Sequence, residues 1–336
     1  MESNEKKVLP AGIDSLAGEK KPLLAIVGPT ASGKTALSVL LAKRLGGEIL
    51  SCDSMQIYRG MDIGTAKPTM EEREGIPHHL LDIADADTPF SCADYVKAAS
   101  QAIDEILARQ KLPILCGGTG LYLDALLRGG NFEETETDPA FREELLTFAE
   151  QHGNHALHER LAEIDPESAA TIHENNVKRV IRALEIHHTS GMTKTEADRR
   201  SRVPASPYRA LTVGLQYPDR SLLYQRIDRR VEQMLADGLL EETRSLLSRG
   251  VFAKNSTAAQ AIGYKELLGY LRGEESPEAA VERLKTATRR YAKRQLTWFG
   301  ARDYVHWIPM TASDGSLRPA EELLEEIVRL FNELPA

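Results

Sequence analysis

Along the first 130 residues, short unbroken apolar runs alternate with longer stretches of mixed, helix-like periodicity. Leu23-Leu24-Ala25-Ile26-Val27 is continuous apolar sequence, as expected of a strand buried on both faces of a parallel sheet. Ala36 to Leu45 carries helical spacing and predicts the helix that follows. Glu48-Ile49-Leu50-Ser51-Cys52 and Leu112-Pro113-Ile114-Leu115-Cys116 read as a second and a third strand. This alternation predicts a parallel α/β sheet. It breaks at the polar, acidic connector Asn131 to Pro139, beyond which the pattern is helical to about residue 198. Within that stretch Val177, Val180, Ile181 and Leu184 form an i, i+3, i+4, i+7 stripe behind the cap-competent Asn175 and Asn176. Ala210 to Leu215 returns as a strand, followed by helical segments near 219–249, 258–272 and 277–300 and an amphipathic helix from Ala320 to Leu334. The pattern predicts a core of residues 22–131 and 206–336, an all-helical insertion over 132–205, and a loose polar extension over 1–21.

Between the first strand and the first helix lies Gly28-Pro29-Thr30-Ala31-Ser32-Gly33-Lys34-Thr35, a complete G-x-x-x-x-G-K-T phosphate-binding loop. Gly28 and Gly33 let the backbone turn tightly, so that successive N–H groups and a helix N-terminus face phosphate. Lys34 is expected to reach the terminal phosphates and the Thr35 hydroxyl to ligate Mg²⁺. The core is accordingly predicted to be a P-loop NTPase-like parallel sheet flanked by helices. Asp53 ends the second strand, on the edge of a parallel sheet where ligands bind. It is a candidate for Mg²⁺ binding through water or for a general base, and a turn-capping Asp is the plain alternative. Gly117-Gly118-Thr119-Gly120 follows the third strand and allows close approach of a ligand to backbone.

Composition narrows the classes. Cys52, Cys92 and Cys116 form no C-x-x-C pair, which argues against zinc or a disulfide framework and for a reducing, cytoplasmic setting. No apolar run has membrane-spanning length. A net charge of −8 argues superficially against nucleic acid. Local patches matter more than the total. Arg283, Lys285, Arg289, Arg290, Lys293 and Arg294 occur without an acidic residue between them; Lys178, Arg179 and Arg182 share another helix; and Arg199-Arg200-Ser201-Arg202 falls in a polar loop. Each cluster alone fits a solvated face, while three together point to a polyanion groove.

GPTASGKT at 28–35, DSMQIYRGMDIGTAKP at 53–68, PHHLLDI at 77–83 and GGTGLYLDALL at 117–127, with Lys178 to Glu185 and Gln260 to Lys265, together resemble the tRNA dimethylallyltransferases of bacterial type over residues 22 to 310. The resemblance implies transfer of a dimethylallyl group from dimethylallyl diphosphate to N6 of the adenosine 3′ of the anticodon, position 37, with release of diphosphate. It implies Mg²⁺ as cofactor, the tRNA anticodon stem-loop as partner, a monomer, and Asp53, Lys34 and Thr35 as catalytic residues. It carries tRNA contacts onto Asp53, Ser54, Met55, Gln56, Thr119, Arg142, Lys178, Arg179, Val180, Ile181, Arg182, Gln260, Ala261, Ile262, Gly263, Tyr264 and Lys265, and offers Arg220 and Arg226 as diphosphate ligands beside residues 28–35. Unlike eukaryotic members, the chain shows no Cys/His spacing for a zinc finger after Trp307. A small-molecule kinase using ATP shares the phosphate loop and Asp53, and a nucleotide-binding regulatory or RNA-binding protein shares the loop and the basic clusters.

Overall fold

The computed structural model describes residues 20–128, 138–200, 206–253 and 257–335. The N-terminal extension up to residue 19, the connector at 131–137 and the Ser201-Arg202 part of the basic loop lie outside the described residues. The chain divides into two compact units, one of Met1–Leu127 with Pro207–Ala336 and one of Arg128–Ser206.

The larger unit is built on a six-stranded sheet: β1 (Lys21–Val27), β2 (Gly47–Cys52), β3 (His78–His79), β4 (Leu112–Gly117), β5 (Tyr208–Gln216) and β6 (Val305–Pro309), in the order β3-β2-β4-β1-β5-β6. Every pairing is parallel; Val27 lies beside Gly117 and Gly214, and Cys52 beside Gly117. The carboxyl ends of β1, β2 and β4 therefore meet at one edge, which is where a doubly wound sheet binds ligands. The four strands read from apolar runs are present. Two were not read. β3 consists of two histidines, and β6 is an edge strand of which only Val305 and Ile308 are buried.

Helices cover both faces: α1 (Lys34–Leu45), the single turn α2 (Met70–Arg73), α3 (Cys92–Ala108) and α4 (Gly120–Arg128). Ser91 and Asp94 close a capping box at the start of α3, satisfying two of the backbone donors that a helix leaves open there. The smaller unit holds α5 (Pro139–Ile164), α6 (Pro166–Thr171), α7 (Val177–Ser190) and α8 (Lys194–Arg200). Arg199 and Arg200 thus lie on a helix, not in the expected loop, and Arg199 pairs with Glu167. Asp138 caps α5 and Pro139 opens it, while Gly153, at φ 88°, divides it in two. The rest of the larger unit is helical: α9 (Arg220–Ala236), α10 (Leu239–Ser248), α11 (Leu268–Leu271), α12 (Pro277–Gly300) and α13 (Ala320–Asn332).

One core lies between the sheet and α3, α4 and Phe299 of α12. The other joins the sheet to α1 and α13 through Leu41, Leu45, Leu324, Ile327 and Phe331. A third packs the 57–61 segment against α9, α10, α12 and Tyr264. Among the described residues no helix is long and apolar enough to cross a membrane.

Candidate active site

The phosphate loop adopts the shape its glycines permit. Gly28 has φ +142°, and a Cβ there would meet the Leu215 carbonyl oxygen at 3.0 Å. Gly33, at φ +95°, stands at the start of α1, whose N-terminus carries no side-chain cap. An open N-terminus of a twelve-residue helix has spare N–H donors and a favourable dipole for an anion. Side chains hold the loop carbonyls: within the loop Lys34 Nζ donates to Pro29 O (2.6 Å), and from outside it Arg226 Nε donates to Ala31 O (2.9 Å) and the Tyr217 hydroxyl to Ser32 O (3.2 Å).

The loop opens into a cavity of about 290 Å³. Thr30, Ala31, Lys34 and Thr35 line one wall, and Asp53, Ser54, Met55 and Gln56 another. Gly118 and the α12 side chains Tyr291, Arg294 and Gln295 complete the sheet edge, while Arg230 and Val231 enter from α9. Burial pulls the Lys34 ammonium down to about 8, with Arg230 acting in the same direction and Asp53 opposing it. Burial pushes the Asp53 carboxyl above the usual aspartate range, against the backbone N–H groups of Met55 and Gln56 and the charges of Lys34 and Arg230. The Met55 N–H donates to Asp53 Oδ1 at 2.8 Å, which fixes the carboxylate's direction. Asp53 and Lys34 thus face one cavity as a base and a cation whose proton affinities have moved towards each other.

The remaining expected residues divide by position. Gln260, Ala261, Ile262, Gly263 and Lys265 line the same cavity. The Gln56 carboxamide donates to Thr65 O and Ala66 O and accepts from Ser51 Oγ, holding the wall in place. Thr119 lies beneath that wall, its Oγ1 accepting the Ser54 N–H at 3.0 Å.

The other expected tRNA- and diphosphate-contacting residues do not line this cavity. Tyr264 is fully buried and turned away, its hydroxyl donating to Glu242 at 2.7 Å and its ring packed on Gly64. Val180 and Ile181 are core residues of the smaller unit. Arg142 and Arg182 both pair with Glu185, which is 0% exposed, so these arginines answer a buried carboxylate. Lys178 and Arg179 are exposed. Arg220 is exposed at the start of α9, away from the cavity lining. On α12, Arg283, Lys285 and Arg289 pair with Glu275, Glu232 and Asp228, leaving Arg290, Lys293 and Arg294 exposed.

Three residues that matter were missed. Arg230 reaches the cavity one turn beyond Arg226, on the flank of the buried Leu223, Ile227 and Val231 stripe. A basic residue beside an apolar stripe is the signal that it faces protein, not water. Glu242 accepts the N–H groups of Asp62, Ile63 and Gly64, each at 3.0 Å, and so anchors the loop that carries Gly64, Thr65 and Ala66. Gln295 touches the phosphate loop itself. For a metal, Thr35 and Asp53 both line the cavity and carry oxygen donors. Hard oxygen donors beside a phosphate site suit Mg²⁺, which takes most of its ligands from phosphate and water.

A family model described as IPP transferase matches residues 56–302. The chain belongs to the IPP transferase family. It is 51% identical over 295 residues to a tRNA dimethylallyltransferase of Halalkalibacterium halodurans, spanning 88% of this chain and 93% of that one. It is 49% identical over 305 residues to a tRNA dimethylallyltransferase of Geobacillus thermodenitrificans, spanning 91% and 96%. Among solved structures, a full-length tRNA isopentenylpyrophosphate transferase from Bacillus halodurans superposes with TM-score 0.68 at 47% identity, over 94% of this chain and 98% of that one. A eukaryotic dimethylallyltransferase acting on tRNA gives TM-score 0.72 at 31% identity, over 86% and 74%. This family member keeps the phosphate loop, the strand-end aspartate and the enclosed cavity together in its larger unit.

Proposed function

We propose that this protein is a tRNA dimethylallyltransferase that alkylates N6 of the adenosine at position 37, using dimethylallyl diphosphate, and that it works as a cytoplasmic monomer. The observation that carries the reading is a single cavity in which Lys34 and the phosphate loop face Asp53. A small-molecule kinase would use the same pair, with Asp53 as base for a hydroxyl; the family match over residues 56–302 supports prenyl transfer to an amine instead. The allylic C1–O bond breaks and its electron pair leaves with diphosphate. The N6–C1 bond forms, and the N6 proton passes to the Asp53 carboxylate. Lys34, Arg230 and the open N-terminus of α1 stabilise the charge that grows on the leaving oxygens. Thr35 would hold Mg²⁺, which when bound would supply further neutralisation of the diphosphate.

An adenine amine is a weak nucleophile, so holding it against C1 is a large part of the task. The base leaves its stack to enter the site, and the cavity-lining residues 53–56, 260–263 and Lys265 are suited to receive it. Lys178 and Arg179 of the smaller unit and Arg290, Lys293 and Arg294 of α12 are the exposed cations available to the tRNA backbone.

Incubation of the purified protein with tRNA and dimethylallyl diphosphate, followed by mass spectrometry of the digested nucleosides, tests the reading. N6-isopentenyladenosine is expected. ATP hydrolysis or phosphorylation of a small hydroxyl acceptor, with no change in tRNA mass, would refute it.

A further inference from the structure

Gln295 sits on α12, 5% exposed, at the junction of two loops that are far apart in the chain. Its Oε1 accepts the Thr30 N–H at 2.9 Å, and its Nε2 donates to the Gly118 carbonyl at 3.1 Å. The amide can point only one way, because Thr30 N–H is only a donor and Gly118 O only an acceptor. Space at the contact is tight: a Cβ on Gly118 would come within 1.9 Å of Gln295 Nε2.

Each contact continues into the chemistry. The peptide whose N–H is held by Gln295 is Pro29–Thr30, and its carbonyl, Pro29 O, is the acceptor for Lys34 Nζ. The side chain therefore fixes the plane of the peptide on which the leaving-group cation rests. Gly118 precedes Thr119, whose Oγ1 holds the Ser54 N–H next to Asp53. We infer that Gln295 is a positioning residue that sets the distance and orientation between the diphosphate-binding loop and the proton-accepting carboxylate, through one carboxamide bonded to both. The inference rests on the prenyl-transfer reading above. It assigns Gln295 no contact with substrate.

The charged groups that line the cavity with Gln295 are Lys34, Asp53, Arg230, Lys265 and Arg294, and the titratable ones are His78, Cys116 and the Tyr291 phenol one turn before it on α12. In Gln295→Glu, a protonated carboxyl keeps both bonds, one acceptor and one donor, at nearly unchanged size. An ionised carboxylate keeps the acceptor for Thr30 but turns a second acceptor on Gly118 O. Gln295→Met fills the space with neither bond. A displacement of reacting groups by about 1 Å costs on the order of 100-fold in rate.

The test is single-turnover prenylation of tRNA by wild type, Gln295→Met and Gln295→Glu between pH 5.5 and pH 8, each variant expressed as a ratio to wild type at the same pH so that titration of Asp53 cancels. Gln295→Met is expected to be about 100-fold slow throughout. Gln295→Glu is expected to be about as slow at pH 8 and to recover at least tenfold in the ratio on acidification. A Met variant within twofold of wild type, or a Glu ratio independent of pH, would overturn the inference. Thermal melts at both ends of the range accompany the rates. Recovery that merely tracks refolding assigns Gln295 to stability alone and overturns it too; if the Met variant does not fold, the Glu ratio decides. A wild-type protein that prenylates no tRNA would instead overturn the reaction itself, and the positioning role with it.

Discussion

The four basic residues of the smaller unit onto which the family resemblance carries tRNA contacts, Arg142, Lys178, Arg179 and Arg182, are expected to behave as two different pairs. Glu185 has no exposed surface and accepts Arg142 Nε at 2.7 Å, Arg142 Nη2 at 2.8 Å, the Asp138 N–H at 2.9 Å and a bond from Arg182. Deleting one partner of a buried ion pair costs about 3–5 kcal/mol. Here each arginine is itself partly in water, and Glu185 retains the other arginine and a backbone donor. A cost of about 1–3 kcal/mol is therefore expected for Arg182→Ala or Arg142→Ala. Lys178 and Arg179 are exposed, so Lys178→Ala with Arg179→Ala should leave the melting temperature nearly unchanged. If both touch tRNA phosphates, the double variant loses two counterion-releasing contacts, and the slope of log K against log salt should flatten by about 1.4–1.8. Between 50 and 200 mM salt that amounts to roughly one decade of convergence with wild type. Filter binding over a salt series and thermal melts of both pairs separate the effects. Equal slopes for the Lys178/Arg179 variant and wild type would remove those residues from the interface. An unchanged melting temperature for Arg182→Ala would refute the account of Glu185.

Asp53→Asn should lower the transfer rate by about 10²- to 10⁴-fold while tRNA binding persists; near-normal single turnover would make Asp53 structural. The acid limb of kcat/KM should fall at a pH above the ordinary aspartate range, because burial raises that carboxyl in the free protein, and a limb at or below that range would contradict the assignment. Lys34 is charged below about pH 8 in the free protein. Above that pH a proton must be taken up as the donor binds, so KM for dimethylallyl diphosphate should climb towards tenfold per pH unit; a flat KM from pH 7 to 10 refutes this. Arg230→Met keeps the packed stem and removes the charge, and should raise donor KM about 10- to 100-fold, the size of one lost bond to a charged group. Donor titrations that match wild type would return Arg230 to the scaffold.

What the sequence disclosed follows the range over which each feature is determined. β1, β2, β4 and β5 are legible because both their faces are buried, leaving apolar runs. β3 and β6 are edge strands and leave almost no such trace. The phosphate loop is legible because its geometry is set by its own glycines. Arg230, Glu242 and Gln295 act only once α9, α10 and α12 have packed against loops formed far earlier in the chain, as in the Thr30–Gln295 and Gly64–Glu242 bonds, which span 265 and 178 residues. Contiguous motifs also mix roles: in Gln260 to Lys265 the residues other than Tyr264 line the cavity while Tyr264 turns inward, and Lys178 and Arg179 are exposed beside the core residues Val180 and Ile181.

The helix that begins at the phosphate loop does not stand on the sheet alone. Its outer side is covered by α13, through Leu323, Leu324, Ile327 and Phe331 and through Arg44 bonded to Glu325. A premature stop codon just before Ala320 would spare every residue that lines the cavity, yet strip the backing from the element that carries Lys34 and Thr35. Such an allele would look harmless on a map of the active site. Its product should lose hold of the allylic diphosphate before it loses hold of tRNA, so a late truncation in this gene belongs among the damaging ones.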